Sequence, residues 1–401
     1  MNSTPRAMRL HIAIFGRANV GKSTFLNLIT GQDISITSAL PGTTTDAVEK
    51  AMEFAPAGPV VFIDTAGFGD QTDLGRERME RTGKIFARTD VAVLVAAANE
   101  WSEDEENICR RASELKLPVI AVINKCDLSQ PDSDFIRQVK AHTPYVITAS
   151  CLEQNAGDTL RSDFRNALTA VLPENFLQPP PLLGDLIAPG NLVIMIVPVD
   201  LQAPKGRLIL PQVQAIRDAL DNDCMILTVK ENRYPEIIKT VVPRPDLVIC
   251  DSQVVKMMIE NTPADIPCTT FSVLFSRLKG DTKIFMQGCR AIDKLQDNDR
   301  ILIAEACTHI ATCEDIGRVK LPNLLKKYTG KKLEFDFAPG RDFPEKLEQY
   351  KLIVHCGSCM LNRQETLYRI ACAQRAQIPI TNYGMAISHC QSVLDKVLVP
   401  E

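Results

Sequence analysis

Four short motifs in the first 150 residues carry the groups that phosphate chemistry needs. Gly16-Arg-Ala-Asn-Val-Gly21-Lys22-Ser23 has the glycine, lysine and hydroxyl spacing of a phosphate-binding loop. Glycines let backbone N–H groups wrap phosphate oxygens, Lys22 reaches the outer phosphates, and Ser23 can coordinate Mg²⁺. The expected binding stretch is Gly16, Asn19, Val20, Gly21, Lys22, Ser23 and Thr24. In Asp64-Thr-Ala-Gly67, Asp64 can hold Mg²⁺ through water, and the Gly67 N–H can sense a γ-phosphate. In Asn124-Lys125-Cys-Asp127 a carboxylate can pair with guanine N1–H and the 2-amino group, which adenine cannot match. That selects GTP and GDP. Thr148-Ala149-Ser150 is a looser match to a last guanine-contacting loop, with Ala149 and Ser150 at the base. Four motifs in this order are not a chance pattern.

A second set lies near the other end: Cys307-Thr-His309 and His355-Cys356-Gly-Ser-Cys359. Cys356 and Cys359 have the spacing that lets two thiolates grip one metal or cluster. With Cys307 they could fill three corners of a cubane cluster, leaving the fourth to a histidine, water or an exogenous ligand. A structural zinc site with three cysteines and one histidine is the competing reading. Cys313 could complete four thiolates. A third reading is a buried cysteine cluster with solvated histidines. Cys372 falls on a predicted helix and reads as core, and His389-Cys390 is a weak candidate. His11 is expected on the first strand and His142 in a surface loop.

These groups need elements to position them. Leu10–Phe15, Val60–Ile63, Val91–Ala96, Val119–Ile123 and Tyr145–Thr148 read as strands, with helices at Lys22–Ile29, Leu74–Ala87, Glu103–Leu115 and Thr159–Val171. Such alternation implies crossover units on a parallel sheet. The stretch from Pro173 to Gly190 holds five prolines and reads as a stiff linker. Alternation resumes with strands at Leu192–Val197, Met225–Val229 and Leu247–Cys250, and helices at Gln212–Leu220, Glu236–Val241 and Val254–Ile259. A thin sheet with exposed edges suits dimerisation. A helical region, Phe271 to Leu295, opens the last part. Strands follow at Ile301–Glu305, Lys332–Phe335, Leu352–Val354 and Ile378–Thr381, with helices near Leu321–Lys327 and Glu365–Gln374. The expected architecture is α/β: a P-loop GTPase domain over 1–172, a linker over 173–190, then two smaller Rossmann-like domains with parallel sheets, a dimerisation module over 191–270 and a cluster-binding module over 271–401. Both cysteine-bearing segments then fall just past the carboxyl ends of parallel strands, where open α/β sheets bind ligands.

Bulk properties narrow the classes. At 401 residues the chain exceeds one ordinary core. A net charge of −4 without a basic block gives no electrostatic case for nucleic acid or an anionic membrane. The longest apolar run is too short to cross a bilayer. Thirteen cysteines, an odd number with no export signal, argue against disulfide scaffolding and for a cytoplasmic protein.

The nucleotide motifs resemble the TrmE-Era branch of GTPases. In that resemblance Pro41-Gly42-Thr43-Thr44-Thr45-Asp46 is the first switch, and Thr44 is a ligand of Mg²⁺ and the γ-phosphate. Thr45 departs from the arginine usual in the branch. Lys22, Thr44 and Gly67 then form the catalytic set, and Ser23, Thr44 and Asp64 the Mg²⁺ set. Asn19 stands where relatives bind K⁺, which implies K⁺-stimulated hydrolysis. Phe68 replaces a water-orienting glutamine and implies slow intrinsic turnover. The complete order of motifs resembles the FeFe-hydrogenase maturation GTPase family. That resemblance implies a 4Fe-4S cluster on Cys307, Cys356 and Cys359, with His309 or His355 as labile fourth ligand. It implies a homodimeric scaffold that carries a transient diiron precursor to apo FeFe hydrogenase, working with the radical-SAM maturases HydE and HydG. The alternative is a GTPase acting in tRNA modification or ribosome assembly, with a structural zinc domain.

Overall fold

A computed structural model of the chain describes residues 4–32, 48–65, 67, 82–151, 156–172, 176, 181–198, 208–306 and 315–400. It divides into two compact units, Met1–Pro179 and Pro180–Glu401.

The first unit is built on six strands: β1 (Leu10–Phe15), β2 (Val48–Phe54), β3 (Gly58–Asp64), β4 (Val91–Ala97), β5 (Val119–Asn124) and β6 (Val146–Thr148). Their order is β2-β3-β1-β4-β5-β6, parallel throughout except for the β2–β3 hairpin. Strand periodicity sends Leu10, Ile12 and Ile14 to one face and Ala13 and Phe15 to the other. Each face joins its own buried cluster. With both faces covered, β1, β4 and β5 read as unbroken apolar runs, which makes them easy to find in the sequence. The helices are α1 (Lys22–Thr30), α2 (Glu103–Glu114), α3 (Ser133–His142) and α4 (Ala156–Val171).

Two elements here escape the sequence reading. The edge strand β2 has one buried residue in seven, so its pattern carries no apolar run. Helix α3, capped by the Asp132 carboxylate on the Phe135 N–H, takes in His142 as its last residue. His142 is thus not in a loop; it stacks on Trp101 and pairs with Glu106.

The second unit contains two four-stranded, all-parallel sheets. The first has β7 (Leu192–Ile196), β8 (Met225–Val229), β9 (Leu247–Cys250) and β10 (Cys268–Thr270) in the order β10-β9-β7-β8. Its helices are α5 (Leu210–Asp221), α6 (Tyr234–Thr240) and α7 (Val255–Asn261). The second has β11 (Arg300–Ala304), β12 (Glu334–Ala338), β13 (Leu352–His355) and β14 (Ile380–Asn382) in the order β12-β11-β13-β14. Helices α8 (Phe271–Lys279) and α9 (Thr282–Cys289) lie between the two sheets in sequence, and α10 (Leu321–Thr329), α11 (Arg363–Arg375) and α12 (Tyr383–Cys390) complete the set.

One buried cluster runs through both sheets, from Ile194 and Val248 to Ile303, Val354 and Ile380. Helix α8 ties them together: Val273 joins that cluster, while Phe271, Leu274 and Phe275 join the cluster on the far face of the first sheet. Leu182, Leu183 and Ile187, in the stretch read as a linker, are buried in that same far-face cluster. The edge strand β10 is covered by the C-terminal segment, whose Leu398 N–H donates to the Cys268 carbonyl at 2.7 Å. β8, at the opposite end, is half exposed, with Met225 open to solvent. No described helix is long and apolar enough to cross a membrane.

Candidate functional site

The phosphate loop joins the carboxyl end of β1 to α1. Gly16 and Gly21 have φ of +145° and +96°, and Gly21 caps α1 from the left-handed region. A β-carbon on Gly16 would lie 2.2 Å from the Val95 carbonyl oxygen, and one on Gly21 would lie 2.3 Å from Asn124 Nδ2. At Gly16 the backbone of β4 leaves no room for a side chain, and at Gly21 the positive φ would strain one. The Lys22 ammonium is folded back into the loop, donating to the carbonyls of Gly16 at 3.0 Å and Arg17 at 2.8 Å. Burial brings its pKa down to about 8, against the opposing pull of the Asp64 carboxylate. Ser23 Oγ donates to Asp64 Oδ2 at 2.7 Å, so two of the three expected Mg²⁺ ligands meet across the β1–β3 pair. Gly67 packs on Ala18, where a β-carbon would fall 2.6 Å from the Ala18 backbone.

The guanine motifs are stitched to this loop by one side chain. Asn124 is buried at the end of β5; its Nδ2 donates to the Val20 carbonyl at 2.9 Å, and its Oδ1 accepts from the Cys151 N–H at 3.2 Å. Lys125 sits at φ +61°, which swings the chain out so that Asp127 is exposed. The Cys126 N–H donates to the Ala149 carbonyl, bringing Ala149 and Ser150 beside that loop. Asn19, also left-handed at φ +64°, is exposed. Thr44, with the rest of the first switch, and Phe68 lie outside the described residues.

One contributor went unread in the sequence. Arg17 donates from Nε to the buried Glu105 at 2.7 Å and from a terminal nitrogen to Glu100 at 2.9 Å. The other oxygen of Glu105 closes a capping box with Ser102 at the start of α2. The Ser-x-x-Glu pattern was the available signal, but nothing local says that its glutamate also holds the phosphate loop.

In the second unit, parallel register brings the expected cluster segments together. Ala304 pairs with His355 across β11 and β13, and the Cys356 N–H extends the ladder to the Ala304 carbonyl at 2.9 Å. Beyond the strand ends the Ala306 N–H donates to Cys356 Sγ at 3.0 Å. Cys307 is the next residue along the chain; Cys307, His309 and Cys313 themselves lie outside the described residues. Cys356 and Cys359 are both partly exposed, and the turn between them passes through Ser358 at φ +56°. An amide N–H donated to sulfur stabilises thiolate charge, so this donor set fits a thiolate-bound metal group.

His355, expected among the cluster ligands, is held within the protein. It is fully buried, and both ring nitrogens are engaged: Nδ1 with the Cys356 carbonyl at 2.8 Å and Ser358 Oγ at 3.2 Å, Nε2 with the guanidinium of Arg369 at 3.2 Å. Since Arg369 can only donate, Nε2 accepts and Nδ1 carries the proton. Burial first, then Arg369, bring its pKa down to about 3. In this arrangement His355 braces the turn, tying Cys356 and Ser358 to Arg369. Elsewhere, burial pushes Cys109, Cys151, Cys289 and Cys390 up to about 12, as expected of core thiols.

Residues 182–280 match the hydrogen maturase F dimerization domain, and residues 283–400 the hydrogen maturase F tetramerization domain. Residues 11–125 match the 50S ribosome-binding GTPase family. The GTPase Der of Clostridium novyi is 35% identical over 137 residues, which are 33% of this chain and 31% of that protein. The GTPase Der of Thermomicrobium roseum is 39% identical over 132 residues, 32% of this chain and 28% of that one. The chain thus spans about a third of the length of the curated relatives it matches. An Aquifex aeolicus Era variant bound to GDP and aluminium fluoride aligns over 57% of this chain and 97% of its own, at 23% identity and a TM-score of 0.36. A GTPase domain followed by both hydrogen maturase F domains covers the chain from residue 11 to residue 400, with gaps only at 126–181 and 281–282, and the chain belongs to the hydrogen maturase F (HydF) family of GTPases.

Proposed function

We propose that the chain is a GTP-hydrolysing scaffold that binds a 4Fe-4S cluster and assembles or delivers the diiron precursor of the FeFe-hydrogenase active site. The observation that carries this reading is the Ala306 N–H on Cys356 Sγ, which sets the residue before Cys307 against the thiol pair of the next strand end. Cys307, Cys356 and Cys359 would hold the cluster. When bound, it would supply an iron corner with an exchangeable ligand. His309, His355, Cys313 or an exogenous group would take that corner. The diiron unit is cargo, received through HydE and HydG and passed to apo hydrogenase.

In the nucleotide unit Lys22 would leave its two loop carbonyls to meet the outer phosphates. Ser23, Asp64 and Thr44 would order Mg²⁺, and Asp127 would read guanine. Phe68 cannot orient a water, so turnover is slow, and Asn19 holds K⁺ to speed it; equal rates in Na⁺ and K⁺ would remove that role. Homodimers would form through β8, the half-exposed strand at the end of its sheet, by pairing with a second copy.

The deciding experiment is anaerobic iron and sulfide analysis with EPR, wild type beside Cys356→Ser. The expected result is about four irons per chain and a cubane signal crippled in the variant. Stoichiometric zinc without sulfide would reject the scaffold reading.

A further inference from the structure

Behind the His355–Cys359 turn lies a buried charged group. Arg369, on α11, is 1% exposed. Its guanidinium donates to His355 Nε2 at 3.2 Å, to the Gly340 carbonyl at 2.7 Å and to Glu365 at 3.3 Å, and it lies over the Phe343 ring. Glu365 also faces Arg341 at 3.7 Å. Two guanidiniums therefore share the Glu365 carboxylate.

A buried guanidinium is costly, and it persists where its fork is filled. Here the fork joins three segments: the strand end before Gly340, the brace His355, and the first turns of α11. His355 passes the constraint on through Nδ1 to the Cys356 carbonyl. The far side of the turn is held similarly, by the buried Lys279 ammonium on the Leu361 carbonyl at 3.1 Å.

We propose that Arg369 is the positioning residue of the Cys356–Cys359 turn and its fixed positive charge. It holds the turn in its thiol-presenting shape through His355, and it biases the site toward a more negatively charged occupant. The second half rests on the cluster reading given above. A fixed cation favours the reduced, more negative member of a redox pair, so it raises the midpoint potential of a thiolate-bound cluster.

The test uses the full-length chain as Arg369→Met, which removes the charge, and Arg369→Lys, which keeps the charge without the fork. Two quantities are measured: hydrogen exchange at residues 355–361 in the iron-free protein, and the EPR-monitored midpoint potential after anaerobic reconstitution. Arg369→Met is expected to exchange the turn about tenfold faster, the loss of roughly one charged hydrogen bond, and to shift the midpoint to more negative values. Arg369→Lys is expected to loosen the turn while moving the midpoint less. Wild-type exchange in both variants overturns the positioning role, whatever the metal. Faster exchange with an unmoved midpoint overturns the electrostatic role. A wild-type chain that takes up neither iron nor sulfide rejects the cluster reading instead, and exchange in the iron-free protein still decides what Arg369 does. If Arg369→Met does not fold, Arg369→Lys decides the positioning role.

Discussion

The two candidate sites both lie at carboxyl ends of parallel strands, yet they are built in opposite ways. The phosphate loop is made from consecutive residues, and its cation, Lys22, is held by carbonyls of its own loop. The cysteine turn is made from behind, by Arg369, Gly340, Ala306 and Lys279, none of them in its own motif. The first site keeps its charge loosely parked and ready to move to a ligand. The second holds its charge in a fork filled by His355, Gly340 and Glu365. A loop that must grip and release a nucleotide is served by the first plan. A turn that must keep two thiolates at fixed spacing is served by the second.

The contrast can be broken most directly at Lys22. Lys22→Ala should lower kcat/KM for GTP by about 100-fold or more, while leaving iron uptake at the cysteine turn at wild-type level. A matching loss of iron would show that the sites are not built independently. Steady-state hydrolysis and iron analysis on one preparation check this.

The next largest effect is expected where the second unit is packed most tightly. A β-carbon on Gly288 would fall 1.9 Å from the Ile380 carbonyl oxygen, on the strand next to β13. Gly288→Ala should cost about 3 kcal/mol, read as a lower urea midpoint for the transition of the second unit. An unchanged midpoint would mean that β14 can move, and the turn would then be less rigidly backed than the phosphate loop.

A smaller effect follows from Lys22 and pH. Its folded pKa, about 8, lies below its ordinary value of 10.5. Between these values the unfolded chain binds more protons, so nucleotide-free stability should rise with pH across this window. Below pH 8 the penalty is fully present. It is on the order of 2 kcal/mol after relaxation. Lys22→Met should flatten that rise in urea titrations; an identical slope in the variant would show that the parked ammonium carries no strain.

The smallest expected effect tests the link from the loop to α2. Ser102→Ala removes the cap on the Asp104 N–H and one partner of Glu105. It should cost about 1 kcal/mol and weaken GTP binding only slightly. A loss of affinity as large as that of Lys22→Ala would mean that the Arg17–Glu105 pair controls the loop rather than merely anchoring it.

Legibility in the sequence followed burial and locality. β1, β4 and β5 were readable because each is covered on both faces. β2 was not, because an edge strand with Glu49, Lys50 and Glu53 has no apolar run. The short β10 and helix α12 were missed for a related reason. β10 is three residues long, and α12 is apolar on most sides, so it lacks an amphipathic period. The contacts of His355 were not readable, because Arg369 and Ser358 reach its ring only through the packing of α11 and the turn after β13.

The amino-acid sequence by itself determined the phosphate loop, the guanine motifs and the α/β alternation. These depend on backbone conformation, on residue type at fixed spacing and on local periodicity, all properties of consecutive residues. Only the tertiary structure decided that Asn124 ties the guanine loops to the phosphate loop, that α8 merges two sheets into one core, and that His355 is braced by Arg369. Each of those is a contact between residues distant in the chain. Which donor meets which acceptor is set by strand register and helix packing, and no local pattern encodes either.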